Sequence, residues 1–319
     1  MNNLKIDTIM KRITDKEKQE ICDLVEEKKQ ALGSANKVAK ALDVNPSTIT
    51  NSLRPENWES LVSDAMWVKI GKAVGFKFSS NAWIIAENTT NAKLMLHTLK
   101  AAQENGMCMG ISEKAGSGKS ASIKFFQSQD PEAVFVLECD DWSKRQFLLE
   151  LCQSVGIETK KSYQDINTLG KKVVDFFKGK TANCQPILIL DEADKLKASA
   201  LRFVITLFNK LEDECGIVLA GTENLAKEIE NRRRKAVKGY DEIHSRLGRS
   251  FVQLLGATFA DVKLICEVNG IINAKTVERI FSELEPIQKK YGTVYQLMVE
   301  DMRRLKRVVL REKIQSQIS

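Results

Sequence analysis

The sequence predicts an α/β protein whose centre is a parallel, five-stranded sheet covered by helices on both faces. Five short apolar runs, separated by helical segments, lie between residues 107 and 255. They are MCMGI (107–111), AVFVLEC (133–139), PILIL (186–190), GIVLAG (216–221) and SFVQLL (250–255). Uninterrupted apolar runs that alternate with helices are typical of strands buried on both faces. The chain on either side of this region shows helical periodicity instead.

Residues 1–76 are predicted to form a helical N-terminal domain. Within it, the stretch SANKVAKALDVNPSTITNSLR fits a helix-turn-helix. Ala39 is small where two helices would cross, and Pro46 occupies the start of the second helix, where a missing N–H costs nothing. Asp43 stands where a turn glycine is usual. The second helix would be the element that meets a partner.

The exposed side chains of that second helix offer hydroxyl and amide groups that can bond phosphates and base edges. They are Ser47, Thr48, Thr50, Asn51 and Arg54. This face is polar but only weakly basic, so it favours auxiliary DNA contact over sequence-specific reading. A helical module that binds protein is the alternative.

Residues 77–91 include a stretch, FKFSSNAWIIAENTTN (76–91), that is richer in Ser, Asn and Thr, and they are predicted to be a linker, in which Trp83, Ile84 and Ile85 dock on another part of the protein. Residues 92–256 would then form the α/β core. After residue 256 the periodicity predicts helices over 258–269, 274–283 and 293–314 and no strand. Residues 257–319 are therefore expected to form a small helical C-terminal domain.

A phosphate-binding turn is predicted after the first strand. The segment from Glu113 to Ser120 nearly meets the pattern G-x-x-x-x-G-K-[ST], with Glu113 in place of the first glycine. Two glycines let successive backbone N–H groups point inward at phosphate oxygens. Lys119 would reach the β- and γ-phosphates, and the Ser120 hydroxyl can ligate Mg²⁺. The predicted nucleotide contacts are Ala115, Gly116, Ser117, Gly118, Lys119, Ser120 and Ala121.

Two carboxylates follow the third apolar run. In open α/β sheets ligands bind at the carboxyl ends of the strands, which is where ILIL delivers Asp191 and Glu192. Asp191 would hold Mg²⁺, and Glu192 would deprotonate the attacking water. Asp194 is expected to act on the N-terminus of its own helix. The turn and the acidic pair together predict a site for ATP and Mg²⁺.

The motifs AGSGKS, ILILDEAD, GIVLAGTENL and DEIHSRLGR resemble those of AAA+ ATPases. The resemblance implies a catalytic sensor residue after the strand at 216–221, with Thr222 the first choice and Asn224 the second. It implies an arginine that acts on the ATP of a neighbouring subunit, at Arg246 or alternatively Arg249. It also implies a nucleotide-contacting arginine in the C-terminal domain.

That last arginine is Arg303 or Arg304, both in the segment EDMRRLKRVVLRE. An exposed basic helix face is the alternative explanation of this segment. Within the AAA+ proteins, the layout of a helix-turn-helix, a compact core and a short helical end is similar to that of the ATPases of DNA transposition, which occur in phage Mu, Tn7 and insertion sequences. This resemblance extends over the full length.

The densest basic run of the chain lies in the core. It consists of Arg232, Arg233, Arg234 and Lys235, followed by Lys238. A solvated loop and a strip of phosphate contacts are both compatible with such a run. Phosphate contacts carry no sequence code, so DNA binding through this run would be nonspecific and salt-dependent.

Composition excludes several classes of protein. The 319 residues are 43% apolar and 29% charged, with a net charge of +7, which permits a polyanionic partner. Seven scattered cysteines without a CxxC pair, and two histidines, argue against a disulfide framework or a zinc site. We expect a cytoplasmic protein, because neither a signal peptide nor an apolar window of membrane-spanning length is found.

These observations and the resemblance lead to one functional hypothesis and one rival. The hypothesis is an ATPase that oligomerises on double-stranded DNA, as a ring or filament, and captures target DNA for a transposase. The rival is a transcriptional regulator in which the helix-turn-helix reads an operator and the ATPase acts as a switch.

Overall fold

The computed structural model describes residues 13–318 except 14, 43, 77–82, 160–164 and 292–293. The chain divides into two compact units, Met1–Ala82 and Trp83–Ser319. This division falls inside the segment that the sequence predicts as a linker. The other domain boundaries, near residues 76, 91 and 256, stay predictions.

The first unit is helical over its described residues. Its helices are α1 (Asp15–Leu32), α2 (Ala35–Ala41), α3 (Pro46–Ser52), α4 (Trp58–Leu61) and α5 (Asp64–Val74). Side chains cap the N-termini of α2 and α3. Ser34 accepts a hydrogen bond from the Lys37 N–H, and Asn45 accepts one from the Ser47 N–H. The predicted turn residue Asp43 lies outside the described residues.

A parallel four-stranded sheet forms the centre of the second unit. Its strands are β1 (Cys108–Ser112), β2 (Val134–Glu138), β3 (Ile187–Asp191) and β4 (Gly216–Gly221), in the order β1-β4-β3-β2. Every residue of β3 and β4 is buried. These two central strands carry the acidic pair and the sensor segment to the same edge of the sheet.

Helices cover both faces of this sheet. They are α6 (Thr90–Glu104), α7 (Lys119–Gln129), α8 (Lys144–Ser154), α9 (Ile166–Lys180), α10 (Ala198–Lys210), α11 (Glu223–Arg234) and α12 (Tyr240–Arg246). Alternate residues of β3 enter two separate apolar clusters: Leu188 and Leu190 pack with α8, α9 and α10, whereas Ile187 and Ile189 pack with α6 and α7. The α/β fold class predicted from the sequence is confirmed.

The prediction of a fifth strand at 250–255 is wrong, because the parallel sheet has four strands. Only Val252 makes a parallel bridge to β1, opposite Ile111. Side chains take the N–H groups that a strand ladder would use. Leu254 donates to a Glu113 carboxylate oxygen, and Leu255 and Gly256 both donate to the Asn91 carboxamide oxygen.

The C-terminal segment contains α13 (Phe259–Val268), α14 (Ala274–Glu283) and α15 (Met302–Ile318). Between α14 and α15 lies an antiparallel hairpin of β5 (Ile287–Tyr291) and β6 (Val294–Met298). The prediction of an all-helical segment, with a helix from 293, is therefore wrong. The β-branched and aromatic residues of VYQLM favour a strand, and the helical periodicity begins only at Met302.

Within the part of the chain that the structure describes, no helix is both long enough and apolar enough to span a bilayer.

Candidate functional site

The turn between β1 and α7 has the backbone geometry of a phosphate cradle. Gly116 and Gly118 adopt φ of 87° and 97°, in the region that disfavours side chains. A Cβ on Gly116 would lie 2.7 Å from a carboxylate oxygen of Asp301. Helix α7 begins at Lys119, so its unpaired N–H groups face the turn. This arrangement provides several N–H donors for an anion.

The Lys119 ammonium lies inside this turn, and the residue as a whole is only 7% exposed. It donates to the main-chain oxygens of Glu113 at 2.7 Å and Lys114 at 3.0 Å, and to the Ser117 hydroxyl at 3.1 Å. Burial lowers the pKa of Lys119, and the Asp191 carboxylate partly offsets this effect. The turn therefore holds a buried cation whose partners are mostly neutral oxygens.

Ser120 and Asp191 meet across the sheet edge. Asp191 ends β3, is 4% exposed, and accepts hydrogen bonds from the Ser120 hydroxyl and, at 3.0 Å, from the Glu192 N–H. Burial raises the pKa of the Asp191 carboxyl above its ordinary value, which these hydrogen bonds only partly counteract. A hydroxyl and a carboxylate in contact are hard oxygen ligands of the kind that Mg²⁺ prefers.

Glu192 follows directly and has an unusual backbone. Its φ and ψ are 57° and 33°, the left-handed region, which turns the chain sharply at the end of β3. Its carboxylate forms an ion pair with Lys195, one 3₁₀ turn further on. That partner neutralises the charge of a carboxylate that lies at the mouth of the cleft.

Thr222 follows β4 and is held by Asp194. The Asp194 carboxylate accepts from the Thr222 N–H at 3.0 Å and from its hydroxyl at 2.6 Å. The expectation that Asp194 serves its own helix is therefore corrected: its carboxylate binds the neighbouring strand end. Asn224, the second choice for the sensor, donates its N–H to the Thr222 hydroxyl oxygen instead.

The C-terminal segment closes one side of this site. The Met302 N–H donates to the Gly116 oxygen at 2.8 Å, so the start of α15 contacts the phosphate turn. Arg303 lines the cleft, whereas Arg304 pairs with Glu285 and donates to the Glu283 carbonyl. Of the two arginines left open by the sequence, the structure brings Arg303 to the site.

One cleft with a volume of about 340 Å³ lies between the phosphate turn, the ends of β3 and β4, and the start of α15. Its walls include every predicted nucleotide contact as well as Asp191, Glu192 and Thr222. The wall residues that the sequence analysis did not assign to the site are Trp83, Lys124, Gly221, Met302 and Lys306. Glycines, a buried lysine and a hydroxyl–carboxylate pair fit a magnesium-bound polyphosphate.

Comparison with known proteins agrees with this geometry. Residues 102–229 match the family model described as an AAA domain. The chain contains an AAA-type ATPase domain. No curated protein matches the chain by sequence. The fold of the chain is the AAA+ P-loop α/β fold.

Several solved structures are similar to this chain, two of them as follows. Cdc6p from Pyrobaculum aerophilum superposes with a TM-score of 0.52 at 11% identity, over 72% of this chain and 62% of that one. The Orc1 protein of Aeropyrum pernix, solved in complex with DNA, gives 0.49 at 11% identity, over 75% and 62%. The match thus spans less than two thirds of either protein.

Glu113, where the motif usually has glycine, is accommodated outside the cleft of the ATPase domain. Its carboxylate accepts from the Lys114 N–H at 2.9 Å and from the Leu254 N–H at 3.1 Å. The side chain thus ties the phosphate turn to the segment beside β1. The first glycine position needs no small residue here, because the carboxylate has its own partners.

Arg246 does not lie in the nucleotide cleft of its own ATPase domain. It pairs with Glu212 and lines a second cleft, beside Cys108 at the amino end of β1. The phosphate turn follows the carboxyl end of the same strand. Arg249, the alternative, is exposed at the end of α12 and has a positive φ of 59°.

The basic run of the ATPase domain lies at the end of α11. Arg232 pairs with Glu228, and Arg233 and Arg234 both pair with Glu230. These hydrogen bonds lower the pKa of Glu230 to about 2. Lys235 and Lys238 are exposed and form no ion pair within the described part of the chain.

In the N-terminal unit, the predicted reading face of α3 is partly engaged in local bonds. The Ser47 hydroxyl donates to Asn45, the Thr50 hydroxyl donates to the Pro46 oxygen, and the Asn51 carboxamide accepts from Asn57. Thr48 is half-buried. Arg54 is exposed just after the helix.

The two aspartates of the site should respond oppositely to replacement by asparagine. Asp191→Asn is expected to raise the melting temperature of the nucleotide-free protein at pH 7. The raised pKa means that the folded state disfavours the carboxylate, which is ionised at that pH. As the pH falls through the raised pKa, the wild-type carboxyl is protonated and the difference should disappear.

Asp194→Asn is the matched control, and it should lower stability by about 1–2 kcal/mol because one of the two acceptor oxygens facing Thr222 is lost. Differential scanning calorimetry between pH 4 and 8 measures both variants. An Asp191→Asn protein that melts below wild type at pH 7 would contradict the burial argument.

Proposed function

We propose that this protein is a magnesium-dependent ATPase that oligomerises on double-stranded DNA and captures target DNA for a transposase. The observation that carries the ATPase part is the convergence of the phosphate turn, Asp191, Glu192 and Thr222 on one cleft. The N–H groups of residues 115–121 and the Lys119 ammonium would bind the phosphates. Ser120 and Asp191 would hold Mg²⁺, which neutralises phosphate charge when bound.

Glu192 is the proposed general base of hydrolysis. It lies one residue beyond the proposed metal ligand, lines the cleft, and has a partly exposed side chain that water can reach. Its ion pair with Lys195 has to open, or the ammonium has to move aside, before the carboxylate can accept a proton from water. Thr222 would donate its hydroxyl to the γ-phosphate end after releasing Asp194, and Arg303 would contact the phosphates from α15.

The position of Arg246 supports action between subunits. The five residues of β1, about 16 Å of extended chain, separate its cleft from the phosphate turn of the same subunit. An arginine side chain does not bridge that distance. We therefore propose that Arg246 leaves Glu212 and completes the ATP site of the next subunit, so that hydrolysis requires an oligomer.

DNA binding is proposed to rest on phosphate contacts from the end of α11. Lys235 and Lys238 are exposed cations, and the three arginines before them are held by glutamates of the same helix. Contacts of this kind are nonspecific and depend on salt. Arg232, Arg233 and Arg234 would add to them when their carboxylate partners are exchanged for DNA phosphates.

The transposition role rests on the resemblance in layout and motifs, with a transposase as the proposed partner. The rival role as an operator-reading regulator is less well supported by α3. Three of its polar side chains are engaged in bonds within their own unit, which leaves few groups to read base edges. Auxiliary DNA contact by the exposed Arg54 fits this face better.

Replacement of Lys119 and of Glu192 should separate binding from hydrolysis. Lys119→Ala is expected to abolish Mg-ATP binding, because it removes the buried cation of the phosphate turn. Glu192→Gln should bind Mg-ATP but hydrolyse it about 10²–10⁴-fold more slowly, since a base is lost. Isothermal titration calorimetry and phosphate release measure the two effects.

Lys114→Ala is the matched control, because this neighbouring lysine pairs with Glu300 and does not line the cleft. It should retain binding and turnover. Tight Mg-ATP binding by the Lys119→Ala protein, or ATP-dependent filaments of it on DNA, would refute the proposed site.

Mixing two inactive variants tests whether Arg246 acts between subunits. Lys119→Ala and Arg246→Ala should each be inactive in hydrolysis. In an equimolar mixture, about one quarter of the interfaces in a head-to-tail oligomer would join an intact phosphate turn to an intact Arg246. The mixture should recover that share of wild-type phosphate release.

An Arg246→Ala protein with wild-type activity, or a mixture with no gain over the average of its two components, would exclude this role. Arg249→Ala measured alongside decides between the two arginines that the sequence left open.

Charge changes at the end of α11 should alter DNA affinity in both directions. The double variant Lys235→Gln/Lys238→Gln is expected to bind duplex DNA more weakly and to reduce the slope of log K against log salt by about 1 per lost contact. Glu230→Gln should bind more tightly and steepen the slope, because it releases two arginines. Fluorescence anisotropy in 50–200 mM salt measures both.

Lys100→Gln on α6 is the control for net charge, since it removes one charge from an exposed i,i+4 pair with Glu104. If it weakens binding as much as the changes near α11, the effect is general electrostatics and the proposed contact surface is wrong.

A further inference from the structure

One wall of the nucleotide cleft has no role in the phosphate chemistry. Trp83, Met302 and Lys306 line this wall, and the Lys306 ammonium lies 5.8 Å from the centroid of the Trp83 ring. Arg303 and Lys306 are three residues apart on α15 and so share one face of the helix. The charged end of a nucleotide is accounted for by the turn, whereas this aromatic wall is not.

Trp83 is held in place by a bond pattern that a flexible linker would not have. The Asn269 side chain, 4% exposed, accepts from the Ile84 N–H and donates to the Ile84 oxygen, both at 3.0 Å. Further along, the Thr90 N–H donates to Asp261 at 2.9 Å. The segment 83–90 is thereby fixed to α13, and Trp83 presents its indole to the cleft.

The surroundings of Trp83 suit a flat, apolar, electron-rich group. An indole offers a large π-face, and bases stack on such faces with little regard to their identity, because every base has one. The side chain of Met302 adds a polarisable contact at the same wall. The Lys306 ammonium over the Trp83 ring attracts a further π-system or a group with partial negative charge.

We propose that Trp83 is the platform on which the nucleotide base stacks, with Lys306 beside it. The inference rests on the proposed ATP site and adds the residue that binds the base. Because stacking reads the face and not the edge of a base, Trp83 should favour purines over pyrimidines and discriminate poorly between adenine and guanine.

Binding of three probes to Trp83→Ala, Trp83→Phe and wild-type protein tests the proposal by isothermal titration calorimetry. The probes are Mg-ATP, Mg-GTP and magnesium tripolyphosphate, which has the phosphates and no base. Trp83→Ala should lose about 10- to 100-fold in affinity for ATP and GTP alike, and should bind tripolyphosphate as wild type does. Trp83→Phe keeps an aromatic face and should retain most of the affinity.

Ile84→Ala is the matched control: this neighbour is exposed, its side chain lies outside the cleft, and its main-chain bonds to Asn269 are unaffected. Nucleotide affinity unchanged in Trp83→Ala, while Lys119→Ala still abolishes it, would overturn the inference and leave the ATP site standing. Equal losses for ATP and tripolyphosphate would also overturn it, as a structural effect. Wild-type protein that binds none of the probes would sink the proposed function itself.

Discussion

The parallel register of three strands determines which side chains can meet in this protein. Ser112 at the end of β1 pairs with Gly221 at the end of β4, and Leu190 of β3 pairs with Leu219. The turn, the acidic pair and Thr222 all follow within a few residues of those positions. A shift of one residue would invert the buried faces, so the apolar core that fixes the register also fixes the site.

That register alone would leave the cleft open on one side, and side-chain hydrogen bonds to distant main chain close it. Asn91 binds the N–H groups of Leu255 and Gly256, Glu113 binds that of Leu254, and Asp261 that of Thr90. Each bond joins segments more than 140 residues apart in the chain. The C-terminal segment is thus attached to the phosphate turn by specific acceptors as well as by apolar packing, which places α15 against Gly116.

The part of the site predictable from the sequence is the part in which function depends on local spacing. The phosphate turn and the acidic pair each lie within ten residues, and their strands are short, continuous apolar runs bounded by helical segments, which the sequence pattern indicates. The fifth strand was misjudged because SFVQLL has the composition of a strand, whereas its N–H groups are taken by Glu113 and Asn91 far away in the sequence. The hairpin of β5 and β6 was missed because its strands are short and mostly exposed. Trp83 was expected to dock, but its position at the cleft follows from Asn269, 186 residues later, which no local pattern indicates.

Three of the proposed functional charges are neutralised within a single chain. Glu192 is paired with Lys195, Arg246 with Glu212, and Arg233 with Glu230. Exposed ion pairs contribute little to stability, about 0–1 kcal/mol, so each can exchange its partner for a more highly charged one at small cost. A triphosphate is such a partner, and so is duplex DNA, because its phosphates follow one another closely along the helix. In the isolated chain these three pairs are closed. The proposed ligands, by competing for the same cations, would link nucleotide binding, subunit contact and DNA contact through electrostatics.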